Sequence, residues 1–241
     1  MQSLRRPAHR VRRIEPVNLQ VGEAGVHLMC NSVLVRSIRM SGASDRLSWA
    51  TVTDPPAQFH VLLEGTLRPA VASTCSLVID GAMRIVIDPG LSPSQAAITD
   101  PVRALGLSPA DITDVVISHH HPDHALNVAL FPAARVHDHW AIYDFAGSWE
   151  SVDAEGRQVS SNVHLMRTPG HSAQDISTIV RTADGVVVFS HAWWTADGPA
   201  DDPYAPDPDV LHASRARILA LADLIVPGHG PAFRPSETTA R

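Results

Sequence analysis

The chain has no lysine: all 19 of its basic residues are arginine, and 25 acidic residues bring the net charge to −6. At that balance there is no broad electrostatic footprint for nucleic acid. Together with abundant Ala and Pro, the missing lysine points to a GC-rich, bacterial genome rather than to arginine chemistry. Cysteine is nearly absent. Cys30 and Cys75 are too few for a disulfide framework or a cysteine-built zinc site, and a reducing, cytoplasmic setting is the expectation. Long apolar runs are missing as well. A stretch such as Val186–Phe189 falls far short of the roughly 20 residues that cross a bilayer, and the N-terminus lacks the apolar segment of a secretory signal. What the chain does have is 241 residues, 44% of them apolar, enough for one sizeable core.

Two regions differ in texture. Residues 1–56 form an N-terminal extension, with Arg5, Arg6, Arg10, Arg12 and Arg13 near its start and the breaker Asp54-Pro55-Pro56 at its end. It is either a nucleic-acid-binding or targeting arm, or a disordered leader, and the second is expected. Residues 57–241 are regular. Strands are expected over 60–67, 75–80, 83–88, 115–117, 163–167, 176–181, 185–190 and 223–226. Helical character covers 92–105, with Asp100-Pro101 as a candidate break, and 208–222, with Leu211, Ile218 and Leu221 on one stripe. Ser108-Pro109-Ala110-Asp111 has the form of a one-turn helix entry.

The chemistry gathers at strand ends. Residues 118–124 read S-H-H-H-P-D-H. Leaving a strand in extended form, His119 and His121 share a face and His120 points away. Pro122 then opens a short helix that lifts Asp123 and His124 toward a neighbouring point. Imidazoles with a carboxylate suit zinc, and also iron or manganese. Two further histidines follow Pro-Gly turns at strand ends: T-P-G-H (168–171) and P-G-H-G (227–230). One such turn means little, but two of them beside H-x-H-x-D-H are hard to reach by chance. His60, His137, His139, His164 and His212 have no such context and are left out of the site.

These motifs, with I-D-P-G (87–90), resemble the metallo-β-lactamase-fold superfamily over roughly residues 58–235. The resemblance implies an α/β fold, a four-layer αββα sandwich with metals at one edge. It also implies a first metal on His119, His121 and His171 and a second on Asp123, His124 and His229. Asp88 would hold the metal loop through hydrogen bonds without touching metal. Two divalent ions, zinc before manganese or iron, are the expected cofactors.

One position departs from the pattern. The strand 185–190 is followed by His191, where most binuclear members carry a bridging aspartate. Imidazole cannot bridge two metals as a carboxylate does, and the lost negative charge leaves two cations about 3.5–4 Å apart repelling with less screening. Either the second metal binds weakly, or His191 is a terminal ligand, the reading preferred here. It could instead line a site with one metal, or mark lost activity.

The function implied is hydrolysis of a small, anionic ester, lactone, thioester or phosphoester by metal-activated hydroxide. Asp123 would orient that hydroxide, and His191 is a candidate proton donor. The short C-terminal remainder leaves no room for the helical domain of glyoxalase II-like enzymes, and the 19 residues between His171 and His191 leave none for the cap of the fold's nucleases. In motif texture, H-V-L-L-E-G-T-L-R-P (60–69), T-P-G-H-S-A-Q-D-I-S (168–177) and A-D-L-I-V-P-G-H-G (222–230) resemble the metallo-β-lactamase domain-containing protein 1 type. That type supplies an RNA-cleaving phosphodiesterase as one alternative; a low-turnover metal-binding module is another. A homodimer is a further expectation, a membrane partner is not, and nucleic acid ranks behind a small molecule. Trp193, Trp194 and the acidic loop carrying Asp197, Asp201, Asp202, Asp207 and Asp209 make either a hydrophobic wall and lid, or a solvated loop with one tryptophan in the core.

Overall fold

A computed structural model describes residues 54–241. The Arg-rich extension expected over 1–56, and Cys30 within it, lie outside the described residues except for 54–56. Seven strands form the first sheet, in spatial and chain order: β1 (Gln58–Leu63), β2 (Cys75–Asp80), β3 (Met83–Ile87), β4 (Asp114–Val116), β5 (Arg135–His137), β6 (Ala141–Tyr143) and β7 (Trp149–Ser151). The second holds β8 (Gln158–Ser160), β9 (Val163–Arg167), β10 (Ile176–Thr182), β11 (Gly185–Ser190) and β12 (Leu224–Pro227), in the order β12-β11-β10-β9-β8. Among the described residues three α-helices accompany them: α1 (Ala96–Ala104), α2 (Pro122–Ala125) and α3 (Pro208–Leu219).

Alternation along the strands sorts their side chains into layers. Val78, Ile85, Ile87 and Val116 of the first sheet meet Val163, Leu165, Ile176, Val180, Val187, Phe189 and Val226 of the second in one cluster. Their immediate neighbours face outward. Leu77, Val86 and Val115 pack with Ile98 and Val102 of α1, while Ile179, Val188 and Ile225 pack with Leu211 and Ile218 of α3. Each central strand is therefore buried on both faces, which is why these segments are nearly continuous apolar runs. The result is the four-layer αββα sandwich expected from the motifs.

Strand direction decides where loops emerge. β3, β4 and β5 run parallel, and so do β11 and β12. β9 shares their direction because both it and β11 are antiparallel to β10. The C-terminal ends of β3, β4, β9, β11 and β12 thus deliver Asp88, the His119–His124 segment, His171, His191 and His229 to one edge.

Several elements differ from the sequence expectation. The first strand ends at Leu63, short of 67, and the last helix at Leu219, short of 222. β5 to β8 were not anticipated; at three residues each they are too short to show a period. Pro101 lies inside α1 and does not end it. The buried pair Ile98 and Val102 spans the proline, and tertiary packing of that face overrides propensity. Residues 109–111 form a 3-10 turn, in which the Asp111 carboxylate accepts hydrogen bonds from Ser108 N and Oγ, both at 2.7 Å.

Candidate metal centre

The edge is organised around Asp88. It leaves β3 with φ of 50°, a left-handed conformation uncommon for a residue with a side chain. There its Oδ1 accepts from the Ser118 amide at 2.7 Å, and its Oδ2 lies 2.8 Å from His124 Nδ1. One carboxylate therefore holds both the start and the end of the histidine segment. Gly90, two residues on, passes so close to that segment that a Cβ there would sit 1.5 Å from the Asp123 carbonyl oxygen. Only glycine allows this approach.

Two groups of donor atoms face each other. In the first, His121 Nδ1 lies 2.9 Å from His119 Nε2 and 3.1 Å from His171 Nε2. In the second, Asp123 Oδ2 is 3.4 Å from His124 Nε2 and 3.7 Å from His229 Nε2. His191 sits between them. It offers a nitrogen within 4.8 Å of those of His119 and His171, and equally of those of His124 and His229. Its Nε2 is 3.2 Å from His229 Nε2, and its ring is packed so tightly on Gly228 that a Cβ there would meet the ring at 2.2 Å. All seven residues singled out from the sequence converge here. His120 turns away, and its Nε2 meets Asp138 Oδ2 at 3.2 Å.

The outward nitrogens are held from behind. His124 Nδ1 has Asp88, His229 Nδ1 donates to the Ala72 carbonyl at 2.7 Å, and His171 Nδ1 lies 2.8 Å from Asp202 Oδ2. Such partners select the tautomer whose other nitrogen presents a lone pair. His124 Nε2 and His191 Nδ1 are buried without any hydrogen-bond partner. A buried polar atom left unpaired costs about 1–3 kcal/mol, so these orphans, beside ring nitrogens only 2.9, 3.1 and 3.2 Å apart, fit a cation among them.

Electrostatics supports neutral imidazoles at His119, His121, His191 and His229. Burial, reinforced by neighbouring histidines, pushes His119 and His191 well below the usual histidine range, and burial lowers His121 and His229 as well. His124 goes the other way: burial opposes its charge, but the carboxylates of Asp88 and Asp123 outweigh it and raise the pKa to about 9. Burial raises Asp123, yet the His124 imidazole beside it brings it down to about 2. Asp175, beside His119 Nδ1 at 3.9 Å, is raised by burial to about 6.

The sequence had placed Asp202 only in a polar loop. It is buried and accepts hydrogen bonds from His171 and from Trp194 Nε1, the latter at 2.8 Å. No local motif signals it, because its partner is 31 residues away. The loop is anchored by Arg215, a fully buried guanidinium that donates to the carbonyls of Ala192, Pro199 and Ala200. The two tryptophans divide the readings between them: Trp193 is core, 0% exposed, and Trp194 stacks on Tyr204 near His171. A cavity of about 330 Å³ opens over the donor groups, walled by Leu67, Val71, Trp194 and Tyr204.

Two sheets between helices, with a histidine-rich cluster where their parallel strands end, define a metal-dependent αββα fold. Residues 68–232 match the description "Metallo-beta-lactamase superfamily", and the chain belongs to that superfamily. It is 33% identical over 195 residues to metallo-beta-lactamase domain-containing protein 1 of Xenopus laevis, covering 74% of this chain and 82% of that one. Among solved structures it is similar to TTHA1623 in a di-iron-bound form, at 24% identity and a TM-score of 0.54, over 71% of this chain and 94% of that one. It is also similar to a quorum-quenching N-acyl homoserine lactone lactonase, at 19% identity and a TM-score of 0.54, over 73% and 92% of the two chains. At those identities both solved structures speak for the fold alone. No helix among the described residues is long and apolar enough to cross a membrane.

Proposed function

We propose that the chain is a metal-dependent hydrolase of a small ester, lactone, thioester or phosphoester. The observation that carries this is the pair of facing donor groups, joined through His191 and opening into a walled cavity. His119, His121 and His171 would hold one divalent ion and Asp123, His124 and His229 the other, with His191 as a terminal ligand. Zinc suits this donor set, and iron or manganese are the alternatives. When bound, such ions lower the pKa of water to about 7 and polarise a carbonyl or phosphoryl oxygen.

The chain's own groups do the rest. Asp123, ionised at neutral pH, accepts a hydrogen bond from the attacking water and fixes its direction. Asp88, the Ala72 carbonyl and Asp202 keep three imidazoles in the tautomer that faces the cavity. Leu67, Val71, Trp194 and Tyr204 exclude bulk water and receive the acyl or aryl part of the substrate, while its anionic end turns to the donor groups. Among the described residues no arginine lines this cavity, so successive phosphates of an RNA strand would find no guanidinium partner from them there. That favours a small molecule over the RNA-cleaving alternative. The di-iron form and the lactonase activity named for the two solved structures are compatible with the reading.

The test is elemental analysis of protein purified without chelator, followed by a hydrolysis screen with aryl ester, lactone, thioester and phosphodiester probes. About two ions per chain and turnover of at least one probe are expected. A single ion with no turnover would leave a binding module in place of the hydrolase.

A further inference from the structure

The loop after β4 has a second face, directed away from the centre described above. His120 lies there, 42% exposed, with its Nε2 3.2 Å from Asp138 Oδ2. Asp138 opens the turn between β5 and β6, and its Oδ1 accepts from the amides of Trp140 at 3.0 Å and Ala141 at 2.8 Å. Those bonds fix the carboxylate and leave Oδ2 directed at His120. His139 follows, and its Nδ1 is buried with no hydrogen-bond partner. One ligating atom from each of His120, Asp138 and His139 falls within 4.8 Å of the other two.

A hydrogen bond between His120 and Asp138 would account for two of these residues but not for the unpaired nitrogen of the third. The spacing has a further implication. Two donors at about 2.0–2.1 Å from a tetrahedral ion are roughly 3.3 Å apart, close to the existing His120–Asp138 separation. The third donor already lies within 4.8 Å of the other two, with the His120 and His139 rings 6.0 Å apart between centroids. Of the nearby cations, Arg157 acts on Asp138 and donates to the Ala141 carbonyl, and Arg167 acts on His139 together with Asp153. Arg167 and Asp153 pair with each other at 3.2 Å, which blunts repulsion of an incoming ion.

We propose that His120, Asp138 and His139 bind one divalent transition-metal ion of the zinc, nickel or copper type at a site separate from the main centre. Two imidazoles and a carboxylate match that class. Three protein ligands and an exposed side leave positions for water, so the ion is exchangeable. Bound there, it ties the segment carrying His119 and His121 to the turn after β5.

The test is equilibrium dialysis of Zn²⁺ against holoprotein with its resident ions in place, comparing wild type, His139→Ala and Asp138→Asn. His139 touches none of the main donor atoms, so His139→Ala keeps its resident ions and any hydrolytic activity. Asp138→Asn retains an oxygen for the Trp140 and Ala141 amides, so the turn survives while the anionic ligand is lost. Wild type is expected to take up one zinc ion more than either variant, or to half-saturate at a concentration at least tenfold lower. Equal uptake and equal affinity in all three chains would overturn the site. Because the readout is the difference between wild type and variants, it holds whether the main centre carries one resident ion or two.

Discussion

Gly90→Ala should disable the metal centre although residue 90 is no ligand. The new Cβ would lie 1.5 Å from the Asp123 carbonyl oxygen, 2.0 Å from its carbon and 2.5 Å from the His124 amide nitrogen. Real Cβ atoms essentially never come nearer than 3.0 Å to such atoms, so the backbone must separate by about 1.5 Å. The obstacle is main chain on both sides, and no rotamer change relieves it. Overpacking of this kind costs about 1–3 kcal/mol, and the upper end applies where backbone must move. Asp123 and His124 would shift with it, and a misplacement of about 1 Å costs on the order of 10²-fold in rate. The assay combines thermal unfolding, metal content and hydrolysis of whichever probe is turned over. Gly81→Ala is the control. Gly81 has a positive φ, but a Cβ there meets nothing within 4 Å, so Gly81→Ala should lose about 1–2 kcal/mol through backbone strain alone and keep its metal. If Gly90→Ala retained full metal and activity with no loss of stability, the close packing of the two loops would not position the donors, and the reasoning would fail.

Other perturbations separate packing from chemistry. Asp202→Ala removes the acceptor behind His171, and partners of that kind are worth about 10–100-fold in metal affinity or activity; an unchanged metal dissociation rate would count against the role. Trp193→Ala should cost about 3–5 kcal/mol as a buried large-to-small change, read by denaturant unfolding. Trp194→Ala should leave unfolding nearly as it was and raise KM for aryl or acyl substrates. His191→Asp restores a carboxylate between the donor groups and is expected to raise both occupancy of the second metal and turnover. Complete loss of turnover in that variant would instead make His191 part of the working mechanism.

Much of the architecture could be read along the chain because it depends on local pattern. The strands at 75–80, 163–167 and 185–190 were recognisable in full, since each is built around a short, mostly buried apolar stretch and bounded by turn residues. The donor histidines were recognisable for a similar reason. Pro-Gly turns and the Pro122 helix start act over a few residues, and they place His171, His229, Asp123 and His124 just beyond strand ends. The four short strands β5 to β8 were invisible because their pairing comes from neighbours in space rather than from three-residue periods of their own.

By itself, then, the sequence determined which side chains leave the strand ends, because turn chemistry is encoded within short segments, and the motifs they form carried the family resemblance that implied the fold class. Only the tertiary structure decided what stands behind those side chains. Asp202 reaches His171 across 31 residues, the Ala72 carbonyl reaches His229 across 157, and Asp138 meets His120 across 18. A hydrogen bond between distant residues leaves no period and no spacing in the chain. It exists because parallel strands of two packed sheets end at the same edge, and that is a property of the assembled layers.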